Sequence, residues 1–200
     1  MTAETSKASL DTRTRILEAA IELLMRGKGA DVSMAEIARA AGVSRQAVYL
    51  HFADRGSLFI ELVHYADEKR GLAAELDKVR NAPSGVAALR TMAAVQARTN
   101  PGIWPLARAT DAIRRTDEEV ERAWQDRLKD RYAGCAAVVK RLIHEGSLRR
   151  GLTAEIATDL LWSITSLRAW EDLVIQRRWK PQQYEERIGD LLEHTLTNKP

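Results

Sequence analysis

Apolar residues recur along the chain three and four positions apart, the spacing that gathers them on one face of an α-helix, and no stretch alternates apolar and polar residues as a half-buried strand requires. The first stripe, Ile16, Leu17, Ala20, Ile21 and Leu24, predicts a helix from about Asp11 to Met25 behind a flexible polar tail over residues 1–10. Gly27 and Gly29 are placed to end it as C-terminal caps. Ser33-Met34-Ala35-Glu36 has the form of a capping box: the serine oxygen accepts the amide three residues on, and the glutamate reaches back to the serine amide. It opens a short helix through Ile37 and Ala38 that closes at Ala41-Gly42-Val43. Ser44 stands as an N-cap before Arg45-Gln46-Ala47-Val48-Tyr49-Leu50, a segment of about two turns. Asp54 caps a longer helix, striped by Leu58, Leu62, Tyr65, Leu72 and Leu76, that runs to about Val79.

Beyond it, Pro83-Ser84 begins a helix with Val86, Leu89, Met92 and Val95 inward, which Asn100-Pro101-Gly102 is expected to break, leaving a shorter piece from Ile103 to about Ile113. Thr116-x-x-Glu119 reads as a second capping box, ahead of a face made by Val120, Trp124, Leu128, Tyr132, Cys135, Val139 and Leu142 that ends near Gly146. Thr153 caps the next helix, which carries Ile156, Leu160, Leu161, Ile164, Leu167, Trp170 and Val174. Pro181 suits the first position of a last one with Tyr184, Ile188, Leu191, Leu192 and Leu196 inward. The fold class expected is therefore all-α, with about nine helices.

Composition narrows the function without naming it. A chain of 200 residues permits one large domain, or a small one fused to a medium one. One cysteine, Cys135, excludes an internal disulfide framework and a thiolate-rich zinc site, which fits the reducing cytoplasm expected for the protein. No run of 18 apolar residues appears, and the N-terminal residues MTAETSKASL lack the apolar core of a signal peptide, so no membrane partner is expected. A net charge of +3 is too small to announce a nucleic-acid partner by bulk electrostatics, so that case rests on local geometry.

The local geometry is that of a helix-turn-helix. Two short helices joined by a glycine turn follow a longer bracing one; Gly42 supplies the turn, Val43 plugs the angle, Ile37, Ala38 and Val48 form a small core, and Ala41 and Ala47 allow close approach. Arg45, Gln46 and Tyr49 are left on the outer face, as an element entering a major groove requires. Between Arg39 and Leu58 the charged residues are Arg39, Arg45, Asp54 and Arg55, and the helix N-termini at Ser33, Ser44 and Asp54 offer free amides that suit phosphate.

From Thr14 to Leu62, and above all at Ile37-Ala38, Ala41-Gly42-Val43-Ser44 and Val48-Tyr49-Leu50-His51-Phe52, the chain resembles the DNA-binding segment of the TetR (tetracycline-repressor) family. Leu160 to Val174 together with Arg177 to Leu192 resemble the C-terminal dimerisation pair of many members. The resemblance implies a DNA-binding domain over residues 11–56 and a ligand-binding and dimerisation domain over 57–200. It implies a homodimeric repressor on double-stranded DNA at a palindromic operator, released by a small-molecule effector. Carried over by position, Ser33, Tyr49, His51 and Arg55 match phosphate contacts, and Arg45 and Gln46 match base-reading positions. The family more often has threonine near Ser33 and lysine near Arg55. Ser44 joins the phosphate set through its helix N-terminus, and Tyr49 the base-reading set through its exposed position.

Competing chemistry is thin. His51, His64, His144 and His194 are scattered without metal-ligand spacing, Gly27-x-Gly29 lacks the strand and third glycine of a dinucleotide loop, and Asp117-Glu118-Glu119 fits the first turn of a helix rather than a catalytic dyad. No enzyme activity, metal or cofactor is expected. In the family, the helices bearing Trp104, Trp124, Tyr132, Trp162 and Trp170 surround the ligand; with Tyr65, Met92, Leu128 and Ser166 they form the expected effector pocket, for an apolar or aromatic compound. Leu160, Ile164, Leu167, Ile188, Leu192 and Leu196, with Trp179, are the expected dimer surface, a four-helix bundle across a twofold axis. A ligand-independent architectural or activating DNA binder, its cavity filled by its own side chains, stays open as the alternative.

Overall fold

A computed structural model describes residues 2–28 and 31–198, with only the backbone for 2–10, 27 and 28. The chain is all-helical: α1 (Thr2–Leu23), continued by a π-helical turn at Leu24–Lys28; α2 (Met34–Ala41); α3 (Arg45–His51); α4 (Arg55–Lys69); α5 (Leu72–Arg80); α6 (Gly85–Ile113); α7 (Glu118–His144); α8 (Ala154–Ile164); α9 (Leu167–Trp170), continued by a π-helical segment at Glu171–Gln176; and α10 (Pro181–Leu196). Among the described residues the only extended pairing is an isolated antiparallel bridge between Leu148 and Thr197.

Several boundaries differ from those the sequence suggests, each for a physical reason. Residues 2–10, expected as a tail, are helical, and no glycine or proline interrupts them. Gly27 lies inside the π turn and Gly29 lies outside the described residues. The helix expected from Asp54 to Val79 stops at Lys69, because Gly71 adopts the left-handed conformation at φ 62° and α5 starts afresh. The break expected at Asn100-Pro101-Gly102 does not occur; α6 runs through Pro101 and Pro105, and burial of Val95, Ala97, Leu106 and Ala109 along it offsets the missing proline amide bonds. α7 is capped by Asp117, whose Oδ1 accepts the amides of Glu119 and Val120, while the Thr116 hydroxyl donates to the Ile113 carbonyl instead. The long helix expected after Thr153 ends at Ile164, and Ser166 caps a new start by accepting the Ala169 amide.

The chain divides into two compact units, residues 1–70 with 105–125 and residues 71–104 with 126–200. The sequence suggests a boundary at 56/57, but α4 belongs with the first unit because Leu58, Phe59, Leu62 and Ala66 are buried in its core with Ile16, Leu17, Ile37, Val48, Leu106 and Val120. The second core gathers Leu89, Cys135, Val139, Leu142, Leu161, Trp170, Tyr184, Ile188, Leu192 and Leu196.

Candidate nucleic-acid interface

In the first unit, α2 and α3 are set by their caps. Ser33 and Glu36 form the expected reciprocal box: the Glu36 amide donates to Ser33 Oγ at 3.2 Å and the Ser33 amide to Glu36 Oε2 at 3.0 Å. Gly42 ends α2 at φ 65°, and the next amide, Val43, closes onto the Ala38 carbonyl at 3.0 Å. Arg15 of α1 donates to the Ala41 carbonyl at 2.6 Å, fastening this turn to the bracing helix. Ser44 then starts α3, its Oγ accepting the Ala47 amide at 3.1 Å, and Val48 is fully buried.

What remains outward on α3 is Arg45, Gln46, Tyr49 and Leu50. Arg45 donates to the Tyr49 hydroxyl at 3.3 Å and lies over its ring, 5.5 Å from the centroid, and this hydrogen bond raises the already high affinity of the guanidinium for its proton. Gln46 and Leu50 form the other outward edge.

The expected phosphate-binding residues are less uniform. Ser33 Oγ donates to Glu36 Oε2, and Ser44 Oγ is taken up by its cap, so these positions present a helix N-terminus rather than a free hydroxyl. His51 is half-buried at the end of α3, its ring tilted against Phe52. Arg55 is turned onto the Phe59 ring, 5.6 Å from its centroid, with Nε and Nη2 buried and lacking a hydrogen-bond partner among the described residues. Two of its three side-chain nitrogens are thus turned inward, and the residue as a whole is half-buried. Arg13, which the sequence did not single out, pairs with Glu61 and stacks on Phe52, bracing α1 against the middle of α4 and the end of α3.

The residues expected around an effector do not form one group. Tyr65 and Trp124 belong to the first unit, where the Tyr65 hydroxyl donates to Glu18 and Trp124 lies under the Arg114 guanidinium. Met92, Trp104, Leu128, Tyr132, Trp162, Ser166 and Trp170 belong to the second. Within it, the Tyr132 hydroxyl reaches outward to Asp159 at 3.0 Å and Ser166 is occupied by its cap, so neither is shaped as a pocket wall. Met92, Trp104 and Trp162 pack against the buried core that includes Trp170.

At the centre of this group is a polar network that the sequence reading missed. Arg131 donates to the carbonyls of Trp162 (2.6 Å) and Thr165 (3.1 Å) and stacks on the Trp162 ring at 4.7 Å. Gln96 also donates to Thr165, and Tyr184 donates to Gln96 Oε1 at 2.9 Å. Burial favours the uncharged forms, pushing the Tyr184 phenol and the Cys135 thiol up and the Arg131 guanidinium down. The available signal was an arginine lying between Leu128 and Cys135 in an apolar stripe.

A cleft of about 380 Å³ lies in the first unit, lined by Glu18, Ile21, Glu22, Met25, Ala66, Lys69 and Arg70, none of which was expected to contact an effector. Of the expected dimer surface, Ile188, Leu192 and Leu196 are buried in the core of their own unit and cannot also meet a second copy. Leu160, Ile164, Leu167 and Trp179 are half-buried, while Ile156, Ile175 and Leu191 stand more exposed on the same segments. Among the described residues no group of three or more His, Cys, Asp or Glu could hold a metal ion, and no helix is long and apolar enough to cross a membrane.

Comparison with known proteins agrees with this arrangement. Residues 16–62 match the bacterial regulatory proteins of the tetR family. The chain is 29% identical over 146 residues to the nucleoid occlusion factor SlmA of Marinomonas sp., covering 71% of each. Its fold is similar to that of NalD, the secondary repressor of the MexAB-OprM multidrug efflux pump in Pseudomonas aeruginosa, at 25% identity, a TM-score of 0.73 and 97% and 100% coverage of the two chains. It is also similar in fold to a transcriptional regulator from Saccharomonospora viridis solved in complex with choline, at 17% identity, a TM-score of 0.80 and 94% and 99% coverage.

Proposed function

The chain belongs to the tetR family of bacterial regulatory proteins, DNA-binding regulators of the repressor type, and from that premise we propose that it acts as a homodimer on a palindromic operator and is released by a small apolar or aromatic effector. The observation that carries this reading is the group of adjacent outward side chains on α3, held by the Ser44 cap, the Gly42 turn and buried Val48. In this reading Arg45 and Gln46 read base edges: arginine suits guanine O6 and N7, and glutamine suits adenine N6 and N7. Tyr49, His51, Ser33 and Ser44 position the backbone, and Arg55 leaves the Phe59 ring to meet a phosphate.

A single helix of two turns reads few base pairs, so a selective complex needs two copies with reading helices about 34–36 Å apart. The exposed Ile156, Ile175 and Leu191, with half-buried Leu160 and Ile164, are the surface proposed for that pairing. The effector must favour a dimer whose reading helices are wrongly spaced, because a ligand that binds both states equally shifts nothing. The choline complex of the S. viridis regulator supports a small-molecule site in this fold, and the indoles gathered in the second unit supply the apolar walls.

A second reading, an architectural DNA binder without an effector, draws support from the SlmA likeness and from the full burial of Trp170 and Tyr184, which fill the interior of the second unit. Selection of bound duplexes from a random pool, followed by affinity measurements on the recovered site and a scrambled one, tests the reading helix. Gln46→Ala should lose about tenfold on the recovered site and little on the scrambled one; Arg55→Ala should lose on both alike. Equal losses on both duplexes for Gln46→Ala would overturn the assignment. Displacement of the protein by a compound from a panel that includes choline separates the effector-released regulator from the architectural binder.

A further inference from the structure

Leu50 is 80% exposed, the most exposed of the large apolar side chains on the described surface. It sits on a helix whose other outward residues are polar, and it takes no part in the core that Val48 and Phe52 enter on either side. Along α3, at about 100° per residue, the outward positions fall into two pairs: Arg45 with Tyr49, and Gln46 with Leu50, each about 40° apart and one turn along the axis. The first pair is closed on itself by its hydrogen bond and ring contact. In the second pair, helical side chains lean toward the N-terminus, so Leu50 lies over the turn that carries Gln46.

Resting on the reading of α3 as the base-contacting helix, we infer that Leu50 is a specificity-determining residue that packs on the C5-methyl group of a thymine in or next to the A·T pair read by Gln46. The chemistry is selective. In the major groove the thymine methyl is the apolar feature of the base-pair edges, and adenine, the base a glutamine suits, always brings a thymine with it on the same edge. Leucine offers no hydrogen bond to any base or phosphate, so its contribution at this position depends on covering that methyl and excluding water from it.

The experiment uses the full-length protein and the duplex recovered by selection. Each thymine of a half-site is replaced in turn by deoxyuridine, which removes the methyl and keeps every hydrogen-bonding group, and affinities are measured for the wild type and for Leu50→Ala. At one position the wild type should lose about fourfold per half-site, and more than tenfold when both half-sites are changed, by the usual value of one buried carbon group. Leu50→Ala should bind the thymine duplex as weakly as the wild type binds the deoxyuridine duplex, with no further loss on substitution. Its helical content should match the wild type, since the side chain supports no core. If wild type and Leu50→Ala respond equally to every deoxyuridine, the inference is overturned while Gln46→Ala still tests the reading helix. If selection recovers no preferred sequence, both fall. If Leu50→Ala alters only self-association of the free protein, the side chain belongs to a protein contact and the inference is again overturned.

Discussion

In the first unit the hydrogen bonds that start α2, α3 and α4 join residues three apart at the surface, as Ser33 with Glu36, Ser44 with Ala47 and Asp54 with Ser57. The second unit has caps of the same kind at Thr153 and Ser166, but adds part-buried bonds that join Arg131 to Trp162 across 31 positions and Tyr184 to Gln96 across 88. A cap tolerates the loss of its neighbours, since it needs only its own turn. A buried network requires every member in place, because a donor or acceptor stripped of its partner in low dielectric costs about 1–3 kcal/mol. The first arrangement leaves a surface free for contact; the second fixes an interior.

The sharpest way to break this contrast is Trp170→Ala. Trp170 is 1% exposed at the centre of the second core, and its loss should cost about 3–5 kcal/mol, read as a lowered midpoint in chemical denaturation. A cost below about 1 kcal/mol would mean that this interior is loosely filled. Next comes Gly56→Ala in the first unit, where an added Cβ would lie 2.3 Å from Asp117 Oδ2 while that carboxylate is held by two amides of α7. Displacing it should cost about 2–3 kcal/mol through overpacking and a weakened cap. An unchanged midpoint would show that Asp117 moves aside freely.

The smallest effect concerns pH. The buried Tyr184 phenol has its proton affinity raised by burial, so in the folded chain it stays neutral where the unfolded chain, with an ordinary value of about 10, has begun to ionise. The unfolded state then binds fewer protons than the folded one, and stability falls as pH rises above about 10. Tyr184→Phe should flatten that decline, although it also removes the bond to Gln96 and lowers stability at neutral pH; an equally steep alkaline decline in the variant would assign it to other groups.

These regions also differ in how much of them the chain displays in advance. Caps are local, so Ser33, Ser44, Asp54, Thr153 and Pro181 can be identified from a few neighbouring residues, and the outward position of Arg45, Gln46 and Tyr49 follows once Val48 is turned inward. The N-cap misplaced in the sequence reading, Thr116 for Asp117, is off by a single position because two capable oxygens adjoin. Where distant segments decide, the pattern is silent. Nothing near Pro101 reveals that packing carries a helix through it, and nothing near Thr165 reveals that Arg131 and Gln96 hold its carbonyl where α8 ends. The stripe Ile188, Leu192 and Leu196 is equally suited to an interior or to a twofold interface; only the fold shows it already covered.

The fastening of α3 through Val48, Phe52 and the oxygen of Ser44 has an evolutionary corollary. Because the outward positions lend little to the stability of the unit, a duplicated gene could exchange them one by one, acquire a new target sequence and still yield a folded protein at every step. Under the proposed reading of α3, recognition is a replaceable surface mounted on a separately fastened unit.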